Sequence, residues 1–381
     1  MKFRIDRDTL ADAVSWTARS LPTRPSVPVL TGLLLRTTNN ELSSSGFDYD
    51  TSTRATLAAD VSDEGQALVS GRLLAEIVKA LPAGKPVDVF HDGTKVQVTS
   101  GSSKFNLQTM PVDEYPSLPE MPTATGTVNA DEFATAVGQA SAAASRDEML
   151  PLLTGIRLEL EGSNISLMAT DRFPASLRDL NWHPEVSDIS AQALVPARVL
   201  SETAKALTAG SDVTIAVSAG ETGDGLIGFE GTVAGGQRRT TTRLLEGDFP
   251  RVRQLFTAQS ETVAYLSTQT LVDAVKRMAL VAERNTPIRL SFTQGQVLLE
   301  AGSGDEASAS ESIEATVEGN DISIGFNPTY LLEGLSVISD PVVHLSFTQH
   351  TKPAAMSGVA ETGAEPDGAF RYLIMPVRLQ N

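Results

Sequence analysis

Three stretches decide the fold: MKFRIDRDTLADAVSWTARSL at residues 1–21, GTVNADEFATAVGQASAAAS at 126–145 and ETVAYLSTQTLVDAVKRMALVAE at 261–283. Each reads as a short strand followed by an amphipathic helix, and they recur at a period near 130 residues. In the first, Leu10, Ala13, Val14 and Thr17 follow the three-and-four spacing that puts side chains on one helical face. Asp8, Asn129 and Ser267 or Thr268 stand near the expected helix starts, where a short polar side chain satisfies free backbone N–H groups.

Outward from these openings the pattern repeats. An alternating hairpin follows in each copy: GLLLRTTNNELSSSGF, GIRLELEGSNISLMAT and IRLSFTQGQVLLEAG, with Asn39-Asn40, Gly162-Ser163-Asn164 and Gln294-Gly295 at the turns. Next comes a second helix, SGRLLAEIVKALPAG, PARVLSETAKALTAG or NPTYLLEGLSVIS, in which Leu74, Leu200 and Leu331 correspond. Further strands lie beyond, leading to Tyr115-Pro116 in one copy and Phe249-Pro250 in another. Strands with two helices per repeat predict an α+β fold of three similar domains, each a sheet layer covered on one side by helices. The proline-rich stretch YPSLPEMPTAT and the region of residues 254–260 mark the boundaries, giving domains 1–122, 123–255 and 256–381.

Composition removes several function classes. With no cysteine there is no disulfide, thiolate metal site or cysteine nucleophile. His91, His183, His344 and His350 lack the spacing of a helical metal pair. No apolar run is long enough to span a membrane, and the start lacks the apolar core of a secretory signal, so a cytoplasmic protein is expected. Gly84-Lys85 runs into proline and lacks the preceding glycine of a phosphate loop, while Gly235-Gly236 fits a hairpin turn. The acidic pairs Asp113-Glu114 and Asp305-Glu306 read as solvated carboxylates. No enzyme, metal or cofactor is therefore expected. The net charge of −17 argues against a protein that grips phosphates over its whole surface. Over the predicted helical segments 7–21, 71–81, 131–146, 196–208, 268–284 and 327–338, however, ten Lys and Arg meet nine Asp and Glu, leaving about −18 for the rest.

The MKF start, Arg24-Pro25 before Pro28-Val29-Leu30, Thr170-Asp171 after a strand, Val195-Pro196, Phe249-Pro250, Gly325-Phe326-Asn327 with Tyr330, and the ending Tyr372-Leu373-Ile374-Met375-Pro376-Val377-Arg378-Leu379 occur in order along the whole chain. In this it resembles the bacterial beta sliding clamp family, the processivity subunit of the replicative DNA polymerase. The resemblance implies a homodimeric ring, joined head to tail, with helices lining a central hole and sheets outside. Such a ring holds double-stranded DNA without reading its sequence, through diffuse attraction to phosphates. Candidate DNA-binding residues are Arg24, Arg72, Lys79, Arg146, Arg198, Lys205, Lys276, Arg277 and Arg284.

The same resemblance implies a dimer interface that joins Lys104, Phe105 and Leu107 of the first domain to Leu280 and Val281 of the third. It also implies an apolar pocket for short linear peptides of the replicative polymerase, the clamp loader, other polymerases and repair proteins. The matching positions are Leu153, Thr170, Arg172, Phe173, Pro250, Leu255, Asn327, Tyr330, Met375, Pro376, Val377, Arg378 and Leu379. Pro174-Ala175 departs from the arginine and leucine usual in the family, which implies a different peptide preference, and Gln380-Asn381 with the polar loops 219–225 and 357–368 reads as surface elaboration. A three-repeat interaction scaffold that never touches DNA would share the fold, the acidic charge and the pocket. Changing Arg24, Arg72 and Arg198 to alanine separates the two readings.

Overall fold

The computed structural model describes residues 1–218, 225–257, 259–282, 286–302 and 307–379. Six helices occur among these residues: α1 (Arg7–Arg19), α2 (Gly71–Ala80), α3 (Ala130–Ser141), α4 (Ala197–Ala206), α5 (Thr268–Ala279) and α6 (Pro328–Leu335). They fall two to a repeat, as the periodicity predicts. Their ends are tighter than the sequence reading. Helix α3 stops at Ser141, so Arg146 lies in the loop beyond it, and α5 stops at Ala279.

Capping explains where the helices begin. Asp6, rather than the expected Asp8, caps α1 by accepting a hydrogen bond from Thr9 N at 2.9 Å, because the strand Lys2–Asp6 ends on it. Asn129 accepts from Asp131 N at 3.1 Å and Glu132 N at 3.0 Å, and Ser267 accepts from Thr270 N at 3.3 Å, so both serve as expected. On α1, Leu10, Ala13, Val14 and Thr17 are buried together. Each large apolar side chain among them stabilises the fold by roughly 1.5–3 kcal/mol.

The hairpin turns also fall where the sequence places them. Asn39 and Asn40 both adopt positive φ, at 51° and 59°, in the two-residue link between paired Thr38 and Glu41. Asparagine tolerates that region better than most residues, and a double positive-φ turn matches the twist of the strands it joins.

The chain forms two compact units, and neither coincides with one repeat. The first contains Met1–Ala134, Trp182–Ser187 and Glu202–Leu244; the second contains Thr135–Asn181, Asp188–Ser201 and Leu245–Asn381. In the first unit, strand Thr51–Ala58 of the first repeat pairs antiparallel with Gly236–Arg243 of the second, and a sheet of 14 strands among the described residues results. A side chain at Gly236 would run into the Thr56 carbonyl oxygen, so this joint requires glycine there. Helices α1 and α2 cover one face of the sheet, and Leu10, Val14, Leu33, Leu35, Leu74 and Val78 belong to the core between them. Arg238 crosses the joint on that face, reaching Asp12 at 2.5 Å with its guanidinium 5.0 Å from the Trp16 ring centre.

The second unit repeats the device. Strand Pro174–Asn181 of the second repeat pairs with Phe370–Ile374 of the third, within a sheet of nine strands. A separate sheet of four strands comes from the third repeat alone. Neighbouring repeats therefore share sheets edge to edge and are not beads on a string.

Candidate functional site

In the second unit, the strand Asn164–Thr170 reverses into Pro174–Asn181 through a strained turn. Thr170 Oγ1 donates to Pro174 O at 2.8 Å, Phe173 N donates to Asp171 O at 2.7 Å, and Arg172 is held at φ 66°. A positive φ on a long side chain is disfavoured, and its occurrence here is offset by the hydrogen bonds around it. The turn leaves Phe173 51% exposed, stacked on Tyr330 with ring centres 5.8 Å apart. Tyr330 is presented by α6, whose first turn is capped by Asn327 through its bond from Thr329 N at 2.9 Å. Tyr372 Oη donates to Tyr330 O at 3.0 Å and braces that turn from below.

The C-terminal segment 375–379 completes the wall. Met375 N donates to Phe173 O at 2.9 Å, and Val377 N donates to Gly325 O at 2.8 Å. The segment lies close because Gly325 has no side chain: an added Cβ would meet Leu379 Cδ2 at 2.7 Å and Val377 O at 3.0 Å. Met375, Pro376, Val377 and Leu379 are half-buried, and Arg378 is exposed. Pro250 and Leu255 are exposed beside Val252 and Phe256, which are buried in one core cluster with Ala175 and Leu373. Leu153 and Thr170 are buried, so in this state they support the wall more than they form open surface. Pro174 starts its strand opposite Ile374, a position where a missing N–H is tolerated.

Burial raises the Tyr330 hydroxyl above its ordinary range, with the Asp171 and Glu333 carboxylates adding to the effect and Arg172 opposing it. Glu333 is raised by burial as well, held against that trend by Arg146 at 3.2 Å. The result is a surface of aromatic, thioether and aliphatic groups with a few polar atoms at its edge, the composition that takes up apolar side chains of a peptide. Gly325, Asp171 and Glu333 were not singled out from the sequence as site residues. Gly325 and Asp171 are visible only as parts of the short motifs Gly325-Phe326-Asn327 and Thr170-Asp171, and the carboxylate of Glu333 gives no sign of its neighbours before the chain folds.

The basic residues fall into two groups, those without and those with an ion-pair partner. Arg24, Arg72, Lys79 and Lys205 in the first unit, and Lys276 in the second, are exposed and have no carboxylate within ion-pair distance among the described residues. Arg72 donates to Leu21 O at 3.4 Å, and Arg198 is exposed on α4. Arg277 forms a two-pronged pair with Glu311, at 2.9 and 2.5 Å, and with Arg146 bound to Glu333 both are partly neutralised. Arg284 lies outside the described residues, as do Asp305-Glu306, residues 219–224 and Gln380-Asn381. Within their observed bounds the six helices carry eight basic and eight acidic residues. They are thus neutral in a chain of charge −17.

Two further surfaces stand open. Strand Ser103–Met110 pairs with Lys95–Ser100 on one side, but on the other only Thr109 and Met110 are paired, to Val69 and Leu68. Lys104 and Phe105 lie exposed on this free edge, whereas Leu107 is a core residue with 3% exposure. In the second unit Leu280, just past α5, is 85% exposed beside half-buried Val281.

Comparison with known proteins places this build. Residues 1–119 match the N-terminal domain of the DNA polymerase III beta subunit, residues 127–251 its central domain and residues 253–378 its C-terminal domain. The DNA polymerase sliding clamp from Bacillus subtilis superimposes with a TM-score of 0.88 at 26% identity, over 100% of both chains. A sliding clamp from Pseudomonas aeruginosa bound to griselimycin gives 0.89 at 25%, again over 100% of both. A beta sliding clamp of Streptomyces coelicolor is 57% identical over 379 residues, covering 100% of each chain. The chain belongs to the DNA polymerase III beta subunit family, the beta sliding clamps.

Proposed function

We propose that two copies of this chain close head to tail into a ring around duplex DNA and tether the replicative polymerase to it. The observation that carries this reading is the charge segregation: the six helices among the described residues, two per repeat, sum to neutrality while the rest of the chain carries −17. A neutral lining with scattered cations attracts phosphates weakly and without regard to sequence. The acidic remainder repels DNA, and a Debye length of about 8–10 Å at cellular salt keeps the two effects apart. The domain division 1–122, 123–255 and 256–381 is part of the proposal, supported by the three family matches.

The exposed Arg24, Arg72, Lys79, Arg198, Lys205 and Lys276 would meet the phosphates, with Arg146 and Arg277 in supporting positions. The ring would close where the free edge carrying Lys104 and Phe105 meets Leu280 and Val281 of the second copy. The exposure of Leu280, a large apolar side chain left 85% open to solvent, supports this contact. The pocket around Phe173, Tyr330 and residues 375–379 would take short peptides of the polymerase, the clamp loader and repair proteins. The griselimycin-bound Pseudomonas clamp supports ligand binding by a protein of this fold. On this reading the protein catalyses nothing itself and acts in the cytoplasm; no helix among the described residues is long and apolar enough to cross a membrane.

The test is retention on circular duplex DNA after loading with a clamp loader and ATP, before and after one restriction cut. Loss on linearisation with slow release from the intact circle is expected. Equal behaviour on both forms, with a dimer mass in solution and loading demonstrated, would leave an interaction scaffold as the better account.

A further inference from the structure

The sheet of the first unit has a second face, turned away from α1 and α2, and it carries an unusual row of charge. Along the neighbouring strands Gly32–Thr38, Glu41–Phe47, Thr51–Ala58 and Gly236–Arg243, alternate residues must leave by opposite faces. Leu35 and Ala55 belong to the helix-side core, Ser44 Oγ shares a hydrogen bond with Thr17 Oγ1 at 3.0 Å, and Arg238 reaches Asp12. Arg36, Ser45, Arg54 and Arg239 therefore project together from the other face. In the register, Arg54 lies directly opposite Arg239 on one side and Ser45 on the other, with Arg36 one strand further.

Like charges directly opposed across strands oppose folding unless something compensates them. Arg239 has Glu230, at 2.7 and 2.5 Å. Among the described residues Arg36 reaches only the neutral Gln66 amide, at 2.8 and 3.3 Å. Arg54 reaches only the Ser45 hydroxyl, at 3.4 Å, and has no carboxylate partner among the described residues. It is half-buried, and burial first, then Arg239 and Arg36, push its guanidinium below its ordinary value.

This row forms the floor of a cavity of about 710 Å³ covered by the segment 112–121. Ser43, Ser45, Ser52 and Thr241 supply hydroxyls to the floor, while Leu34, Tyr115, Leu118 and Met121 supply an apolar wall. The rim carboxylates Asp113 and Glu120 are exposed and form no ion pair with these arginines among the described residues. The volume is within the range of small-molecule sites. Planar guanidinium forks and hydroxyls match the oxygens of a phosphate group, and the apolar wall offers a face to a ring.

We propose that this cavity binds a phosphorylated small molecule of nucleotide size, with its phosphates on Arg54, Arg36 and the serine hydroxyls and its ring against Leu34 and Leu118. The site lies wholly in the first unit and does not depend on the clamp reading. It is tested by calorimetric titration of the full chain with ATP, pyrophosphate and adenosine, alongside Arg54→Gln and Arg54→Lys. ATP binding is expected, with adenosine far weaker, and Arg54→Gln lowers ATP affinity about tenfold or more, the scale of one charge-assisted hydrogen bond. Arg54→Lys keeps the charge but loses the fork, so it falls between. Unliganded Arg54→Gln melts no lower than wild type, because the substitution removes a repelled charge. Absence of ATP and pyrophosphate binding at millimolar concentration overturns the proposal, as does binding that both Arg54 variants leave unchanged.

Discussion

Gly325→Ala tests whether the C-terminal segment builds the peptide pocket. The new methyl group would sit 2.7 Å from Leu379 Cδ2 and 3.0 Å from Val377 O. Leucine can turn away, but the carbonyl oxygen belongs to the backbone and moves only with the segment. Displacement breaks the bond from Val377 N to Gly325 O, 2.8 Å long, a net loss of about 1 kcal/mol. Crowding of the packed methyl adds about 1–3 kcal/mol. Docking of residues 375–379 thus weakens by about 2–4 kcal/mol, and apparent affinity for a peptide that needs the docked wall falls in proportion to the docked fraction. Since Gly325 lies within the strand Ile322–Phe326, its backbone tolerates alanine and the melting temperature changes little. Fluorescence anisotropy with a labelled peptide carrying glutamine and bulky leucine or phenylalanine side chains measures affinity, and hydrogen exchange at 375–379 reports docking. An affinity loss of about tenfold or more is expected together with faster exchange. A loosened segment with unchanged affinity would refute the role of this wall, and unchanged exchange would refute the steric reasoning.

Phe173→Ala removes the stack on Tyr330, about 0.5–1.5 kcal/mol, and is expected to weaken peptide binding by about 2- to 13-fold with little change in melting temperature; unaltered anisotropy would remove Phe173 from the pocket. Leu280→Asp is expected to weaken dimerisation by at least about 1.5–3 kcal/mol while leaving the single chain folded, as measured by sedimentation; an unchanged dimer constant would place the interface elsewhere. Alanine at Lys79, Lys205 and Lys276 is expected to lower the salt dependence of binding to a short duplex by about 0.9 in logarithmic slope for each phosphate no longer neutralised, and an unaltered slope would exclude all three from the DNA-binding surface. The Asp92 carboxyl is pulled down to about 2 by hydrogen bonds from Thr94 N and Lys95 N. Its folded value is depressed, so its stabilising contribution is present above the ordinary value of 3.8 and is lost as pH falls through about 2. Titration of that carboxyl by nuclear magnetic resonance should show the low midpoint; a midpoint at the ordinary value would mean the turn does not hold it.

The local parts of the fold were legible because each rests on neighbouring residues. Leu10, Ala13, Val14 and Thr17 mark a helical face by spacing alone, and Asn39-Asn40 marks a turn by the φ values asparagine tolerates. Sequence alone sets the α1 cap at Asp8, two residues late, because Asp6 and Asp8 are both acceptable caps and only the end of the strand before them selects Asp6. What could not be read was the joining of repeats. Strands Thr51–Ala58 and Gly236–Arg243 look like ordinary half-buried strands separately, and neither announces its partner. The division into two compact units follows from that pairing, so a three-domain reading of the periodicity does not reveal it.

The candidate sites follow the same distinction. Taken alone, Met375, Val377 and Leu379 read as the end of a last strand; resemblance marked them as a pocket, and the glycine at 325 gives the physical reason they lie where they do. The arginine row had no such help. Arg36 and Arg54 are within reach of one another by hairpin logic, but Arg239 arrives through the joint between repeats, opposite Arg54. That joint also places Arg238 against Asp12 and Trp16 on the other face. Because strand residues alternate, one register sends Arg238 to Asp12 on one face and Arg239, with its partner Glu230, beside Arg54 on the other. A shift of one residue would exchange them, leaving Arg238 without Asp12 and bringing Arg239 against the helices. The Arg238–Asp12 pair on one face, with Arg238 buried and Asp12 exposed, therefore holds the charged row on the other, and a ligand drawn to that row would favour the same register that joins the two repeats.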